Sequence, residues 1–352
     1  MVYNEANTAS PSITMEHSLQ GAMMILMKTT EGPYVDPALQ GLLDIEKISD
    51  EMEERRIKPE KFKGHPHFDS DEIDRDLRRC EELKQLFRQA NEKEGPHKKE
   101  QSERGLTAEF VFRRALEEYG WLSDKLKMIL TSTFDDFENG IDSVAQIELG
   151  PSRYEHIGFA VDFAASRSDV GQKLSRCFDE IDSGRSARVK YFDSEKTGQL
   201  RNFKVPRIVV GAGQENLDRL VSYSAEMIND SGEAGSIKEK IKADPYRFVL
   251  FGIIEAQLSV FIGRLSKVID KMRQAKHLPV AIAGAQRTLD MYRQTLATIL
   301  QLAEEAGIDS GTIQKHIRGD KFAMEIARDL SILSRTPIDL NADSEGPSPM
   351  YN

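Results

Sequence analysis

Cysteine is nearly missing from this chain of 352 residues: Cys80 and Cys177 are the only two, and there is a single tryptophan. Two cysteines build neither a disulfide framework nor a thiolate zinc cluster, so the expected setting is a reducing cytoplasm. Basic charge is also in short supply. The 48 Lys and Arg residues against 58 Asp and Glu leave a net charge of −10. That balance argues against a whole-surface grip on nucleic acid, which draws on clustered Lys and Arg to displace counterions. Long apolar runs are lacking too. The run "GAMMILMK" falls well short of the roughly 18 to 20 residues of a membrane span. It follows Glu16 without a basic start or a small-residue cleavage site, so no signal peptide and no membrane association are expected. What is present, 39% hydrophobic and 30% charged residues, suits a soluble globular protein able to bury a sizeable core, in two structured units plus tails.

Residues 1–40 are polar and Pro-punctuated and read as partly disordered, with one docking helix around Met23, Met24 and Met27. Residues 41–105 read as a charged helical extension and linker: 31 of the 60 residues from Gly41 to Glu100 are charged. Within it Ile73, Leu77, Leu83 and Leu86 recur at the three- and four-residue spacing of a thin apolar helix stripe, and "NEKEGPHKKEQSERG" reads as a linker. The compact part is expected at 106–230. It starts with helix over "AEFVFRRALEEYGWLSDKLKMIL", long or broken near Gly120. Strands at 143–149 and 157–163 follow, then a helix at about 168–181 opened by Ser168 and Asp169. The strands "ARVKYF" and "VPRIVVG" and a helix at 215–227 complete the order. This predicts an α/β (α+β) core with a small mixed sheet flanked by helices. An all-α C-terminal region at 244–335 and a loose tail at 340–352 complete the chain.

Two acids stand out. In the strand from Ile157 to Ala164 side chains alternate, so Asp162 shares a face with Gly158, Ala160 and Ala164, whose small size leaves it room. Asp142, just after Gly140, precedes the partner strand, and a hairpin between the two would bring both carboxylates to one sheet edge. Paired oxygen ligands of this kind suit Mg²⁺ or Mn²⁺, which keep several waters and share the rest with a phosphate. At these residues the chain resembles the restriction-endonuclease-like, or PD-(D/E)XK, nuclease superfamily over roughly 106–211. It is similar as well to uncharacterised bacterial proteins with the same acid, strand and helix layout. The resemblance implies catalytic roles for Glu109 on the first helix, Asp142, and Asp162 in "AVDFA", with metal held by Asp142 and Asp162. It also implies a lysine two residues after Asp162. That position is Ala164, and Lys173 on the next helix is the candidate replacement. The competing readings are a turn or strand-start role for Asp142 and a structural ion pair of Asp162 with Lys173 or Arg188. For Glu109 the competing reading is a helix-dipole role; Asp135 and Asp136 are spare candidates, or a capping pair.

Further signals concern partners. Between Arg185 and Arg207 seven basic residues face Asp193 and Glu195, so Arg188, Lys190, Lys204 and Arg207 are candidate phosphate contacts, with a solvated pair of strands as the alternative. The segment 302–319, "LAEEAGIDSGTIQKHIRG", resembles a helix-turn-helix in which Thr312, Gln314, Lys315 and Arg318 would face DNA; a hairpin that only packs is the alternative. Gly211 and Gly213 before a helix could cradle a phosphate, and His65 and His67 could bind a metal, but plain turn and linker roles are favoured for both pairs. The leading expectation is a cytoplasmic, metal-dependent, nuclease-like protein acting on or binding nucleic acid. A non-catalytic protein that keeps the fold to bind a protein partner or itself is the rival, and a DNA-binding regulator the third reading.

Overall fold

The computed structural model describes residues 44–94, 96–150, 156–164, 167–229 and 234–338. The segments expected to be disordered, 1–40 and 340–352, lie outside the described residues. The chain opens with helix α1 (Ile45–Arg55), whose N-cap Asp44 accepts from the Lys47 amide, and a 3-10 turn at Pro59–Phe62. Helices α2 (Ser70–Glu94) and α3 (Pro96–Glu117) follow. Most of the "NEKEGPHKKEQSERG" segment is therefore helix and not linker, because Pro96 sits at the start of α3, where its missing N–H costs nothing. The expected boundary at residue 105 falls inside α3.

Gly120, at φ +61°, turns the chain after α3, and strand β1 (Leu126–Leu130) begins where helix was expected. Leu126 and Ile129 fit a helical stripe, but Leu126, Met128 and Leu130 are buried in alternation with the more exposed Lys127 and Ile129, and this two-residue period wins. The short helix α4 (Thr133–Asn139) carries Asp135 and Asp136 in its first turn. Next come β2 (Ser143–Glu148), β3 (His156–Ala164) and helix α5 (Arg167–Asp182). Strands β4 (Ala187–Ser194) and β5 (Gly198–Val205) form their own two-stranded sheet, and β6 (Arg207–Gly211) returns to the first. In that sheet the order is β1-β2-β3-β6, antiparallel through β3, with β6 parallel to β3. The sheet is thus mixed and flanked by helices, as expected, but "ARVKYF" lies outside it and "RIVVG" supplies its fourth strand.

Helices α6 (Gln214–Asn229), α7 (Ala234–Lys242), α8 (Tyr246–Gln274), α9 (Pro279–Glu305), α10 (Ser310–Gly319) and α11 (Lys321–Leu333) complete the structure. One main hydrophobic core joins α1, α3, the sheet, α5 and the C-terminal helices. A second, smaller core sits between the other sheet face, through Val144 and Ala160, and the β4–β5 pair, through Val189, Phe192 and Val205. Helix α8 is long and apolar enough by length and composition to cross a membrane, contrary to the reading that no segment approaches this; most of its apolar stretch is buried in the protein. It also closes the sheet: the Gln257 side chain accepts from the Val209 amide at 2.9 Å and donates to the Val209 carbonyl at 2.7 Å, satisfying backbone groups that edge strand β6 would leave unpaired.

Candidate acid and lysine site

The site starts from strand register. Ser143 lies opposite Val161, so continuing the antiparallel pairing puts Asp142 across from Asp162. Gly140 makes this possible: at φ +57° it is the left-handed cap of α4, and the chain can then turn into β2. Like charges placed directly across a sheet repel unless something neutralises them. Here a cation does. Lys173 Nζ from α5 lies 2.5 Å from Asp162 Oδ1, 3.8 Å from Asp142 Oδ2 and 3.8 Å from Asp169 Oδ1, and donates to the Phe163 carbonyl. The two aspartate oxygens that meet Lys173 are therefore at most 6.3 Å apart, the two contacts laid end to end. The Phe163 amide donates to Asp142 Oδ2 at 2.6 Å, pinning that carboxylate to the neighbouring strand.

Lys173 holds the place that sequence left to it, and Ala164 shows why. Its side chain is buried in the main core, and the close-packed Gly211 lies against its backbone. A lysine at 164 would have to bury its charge among apolar neighbours, at a cost of several kcal/mol. Gly211 is likewise a packing glycine: any Cβ there would meet Ala164 O and the Phe322 ring, which explains the residue without a phosphate cradle.

A second cation reaches the other oxygen of Asp162. Arg207 of β6 is buried, lies 3.4 Å from Asp162 Oδ2 and 2.7 Å from Glu180 Oε1, and donates to the carbonyls of Gly140 and Asn139. Arg207 is thus a structural cation and does not face nucleic acid as expected. Its position and that of Lys173 share a signal the sequence carried: Asp169, Lys173, Arg176 and Glu180 recur on one stripe of α5, beside the apolar stripe of Val170, Leu174, Cys177 and Ile181.

Glu109 of α3 stands in the same cluster. Arg56, the residue that caps α1, lies 2.9 Å from Asp136 Oδ2 and 4.0 Å from Glu109 Oε1. Sequence reading missed Arg56 because it lies in the charged extension, where one more arginine gives no signal. These pairs join the carboxylates of Glu109, Asp136, Asp142, Asp162, Asp169 and Glu180 to the cations Arg56, Lys173 and Arg207. Burial pushes the Glu109 carboxyl up to about 7 against the pull of Arg56, and burial with the neighbouring Asp162 and Glu109 raises Asp142 well above the usual carboxylate range. The acids hold Lys173 and Arg207 cationic: despite burial, both are raised above their ordinary values.

Asp135 has a different task. Fully buried, it accepts from Ser132 Oγ, Asn139 Nδ2 and the amides of Lys190 and Tyr191, tying α4 to β4. Among the remaining candidates, Lys190 is spent on Glu72 and Asp76 at 2.7 and 2.5 Å, whereas Arg188 and Lys204 are exposed cross-strand partners. In the 302–319 segment Asp309 caps α10 through Thr312, Ile313 and Ile317 lie against Gly252 of α8, and His316 stacks on Phe248. Gln314, Lys315 and Arg318 are exposed. His65 and His67 stand side by side next to Phe68, the His65 ring edge-on to it. Among the described residues no group of three or more His, Cys, Asp or Glu side chains is arranged to hold a metal ion. Searches against protein-family models, curated proteins and solved structures find no match to this chain.

Proposed function

We propose that the chain is a divalent-metal-dependent phosphodiesterase of nuclease type, centred on Asp142, Asp162 and Lys173 with Glu109 beside them. The observation that carries this is Lys173 Nζ meeting both aspartates from the following helix. It supplies, from a different backbone position, the charge that Ala164 withholds. An acid on the first helix, an Asp opening the central strand, a second acid on the next antiparallel strand and a helix after it form the order that the restriction-endonuclease-like resemblance implies. The strand that follows this helix in the sheet is β6, where "ARVKYF" was expected to fit the order.

The donors suit a hard cation by their chemistry, although among the described residues no three of them are gathered around one point. All are carboxylate oxygens, and Glu109 Oε1 is buried without a hydrogen bond, an orphan of the kind an ion or water satisfies. Asp142 and Glu109 would hold Mg²⁺ or Mn²⁺, with Asp162 sharing its Oδ1 side with Lys173 and with waters and substrate completing the shell. Bound there, the ion would lower the pKa of a water and offset charge on the phosphate. The protein's own part is electrostatic. Lys173, cationic throughout the physiological range, is a donor to developing negative charge and not a proton acceptor. Asp142, fixed by the Phe163 amide, orients what binds beside it. Arg207 keeps Asp162 aimed at Lys173.

A non-catalytic reading is favoured by one fact: Asp162 is only 1% exposed and has a cation on each oxygen, the pattern of a structural ion pair. Cleavage of single- and double-stranded DNA and RNA with Mg²⁺ or Mn²⁺, by wild type and Asp162→Asn purified alike, separates the two. Metal-dependent cleavage lost in Asp162→Asn supports the enzyme. Cleavage by neither protein, or equally by both, removes it.

A further inference from the structure

Two orphaned groups of opposite sign sit together at this site. Arg56 Nη1 and Glu109 Oε1 are both buried and make no hydrogen bond, although Arg56 Nη2 approaches that same Glu109 oxygen to 4.0 Å and grips Asp136 at 2.9 Å. Leaving a buried polar group unpaired costs about 1–3 kcal/mol, more for a charged one. Two such groups side by side call for a ligand that accepts from the guanidinium and meets the carboxylate through a cation or a donor. A phosphoryl oxygen beside a divalent ion does both.

The placement of Arg56 is well determined. Its amide caps α1 on the Met52 carbonyl, and the next residue, Ile57, donates from its amide to the Leu130 carbonyl at the end of β1. Helix α1 is fixed to α3 by Arg55–Glu117 and Arg113–Glu51 at 2.8 and 2.9 Å, and Ile48 and Met52 enter the main core. The arginine is thus held between the helix that carries Glu109 and the strand next to Asp142. A planar fork of donors that keeps one arm on a carboxylate and offers the other to a phosphate is a task for arginine and not for lysine.

We infer that Arg56, supplied by the segment before the α/β core, grips a phosphoryl oxygen of the substrate, so that the charged N-terminal helices complete the site. The inference rests on the phosphodiesterase reading. It makes Arg56 a substrate-binding residue and leaves the metal ligands to the carboxylates.

The test is titration of inorganic phosphate, at saturating Mg²⁺, into wild type, Arg56→Lys and Arg56→Gln, with Mg²⁺ binding measured separately and folding checked by near-ultraviolet circular dichroism. Phosphate binding should weaken about ten- to a hundredfold in Arg56→Gln, the loss of a charge-assisted hydrogen bond. Mg²⁺ binding should be unchanged or tighter, because a cation beside the acids has gone. A purely structural arginine would loosen both together, and that result overturns the inference. So does unchanged phosphate binding in Arg56→Gln, or no phosphate binding by wild type. If Arg56→Gln does not fold, Arg56→Lys carries the test: it keeps the charge and loses the fork, and equal phosphate affinity in it rejects the assignment. The cleavage assay judges the enzyme reading separately, since a wild type that cleaves while Arg56→Gln binds phosphate normally loses only the role of Arg56.

Discussion

Lys173→Met removes the one cation that Asp142, Asp162 and Asp169 share, while keeping the bulk and flexibility of the side chain. The ammonium is about four-fifths shielded and Asp162 almost wholly so, so solvent screening reduces the loss only slightly. Breaking a buried pair by removing one partner costs about 3–5 kcal/mol. Asp162 keeps Arg207, which places the expected loss near the lower end, about 3 kcal/mol. The pH dependence has a definite sign. Without the opposing pull of Lys173 the Asp142 carboxyl, already raised by burial, moves further up, so the folded chain holds a proton that the unfolded chain has released. The variant therefore recovers stability as pH falls toward the ordinary carboxylate range and loses it as pH rises. Urea denaturation of both proteins from about pH 5 to 8 measures this directly. Mg²⁺ should also raise the variant's midpoint more than that of wild type, because the ion takes up the vacated neutralisation. A loss under about 1 kcal/mol at neutral pH, or a loss that does not change with pH, would refute the buried-pair account of Lys173.

Arg207→Met should destabilise the fold by about 3–5 kcal/mol, since it strands Glu180 and Asp162 in the interior, whereas Arg188→Ala with Lys204→Ala should leave denaturation midpoints unchanged. Equal midpoints in all three proteins would contradict the structural role of Arg207. Gln257→Leu leaves the Val209 amide and carbonyl unpaired under α8 and should cost about 2–4 kcal/mol, taking two groups at 1–3 each with partial relaxation; faster hydrogen exchange at β6 is the accompanying signature. Burial lifts Glu109 to about 7 from an ordinary value of 4.5, so the folded chain keeps a proton there that the unfolded chain loses. The favourable contribution of this group is present at low pH and is lost as pH rises through about 7. Glu109→Gln should therefore flatten the fall in stability across that window, and an unchanged pH profile would show that Glu109 titrates normally.

The mixed sheet, the α5 helix and the C-terminal helices were legible from local pattern: alternation in Ile157 to Phe163, the capping pair Ser168 and Asp169 at the start of α5, and the nearly all-round apolar character of the first half of α8. The meeting of Asp142, Asp162 and Lys173 was legible from the carboxylate set in an apolar strand and from the absence of a lysine at Ala164, and an ion pair of Asp162 with Lys173 was among the readings. What sequence hid was long-range. Whether Leu126, Met128 and Leu130 bury one strand face or Leu126 and Ile129 one helix face is decided by β2, which supplies the partner at Ser143 to Ile147. The charged composition of residues 41–105 masked the docking of Ile48, Met52, Phe62 and Phe68 into two separate cores. It also hid Arg56, whose role depends on three-dimensional proximity to Glu109 and Asp136. Arg207 was misassigned because a basic residue in a basic segment looks exposed, although the buried run of β6 around it required a buried partner such as Glu180.

The most direct measurement is Mn²⁺ titration of the wild-type protein, Asp142→Asn and Asp162→Asn, followed by electron paramagnetic resonance of the free ion and by the protons released on binding. The account expects one ion per chain, with protons released on binding because burial raises the Glu109 and Asp142 carboxyls above their ordinary range, and affinity reduced about ten- to a hundredfold in either variant. Saturable binding that is equal in all three proteins, or no saturable binding by wild type, would contradict it.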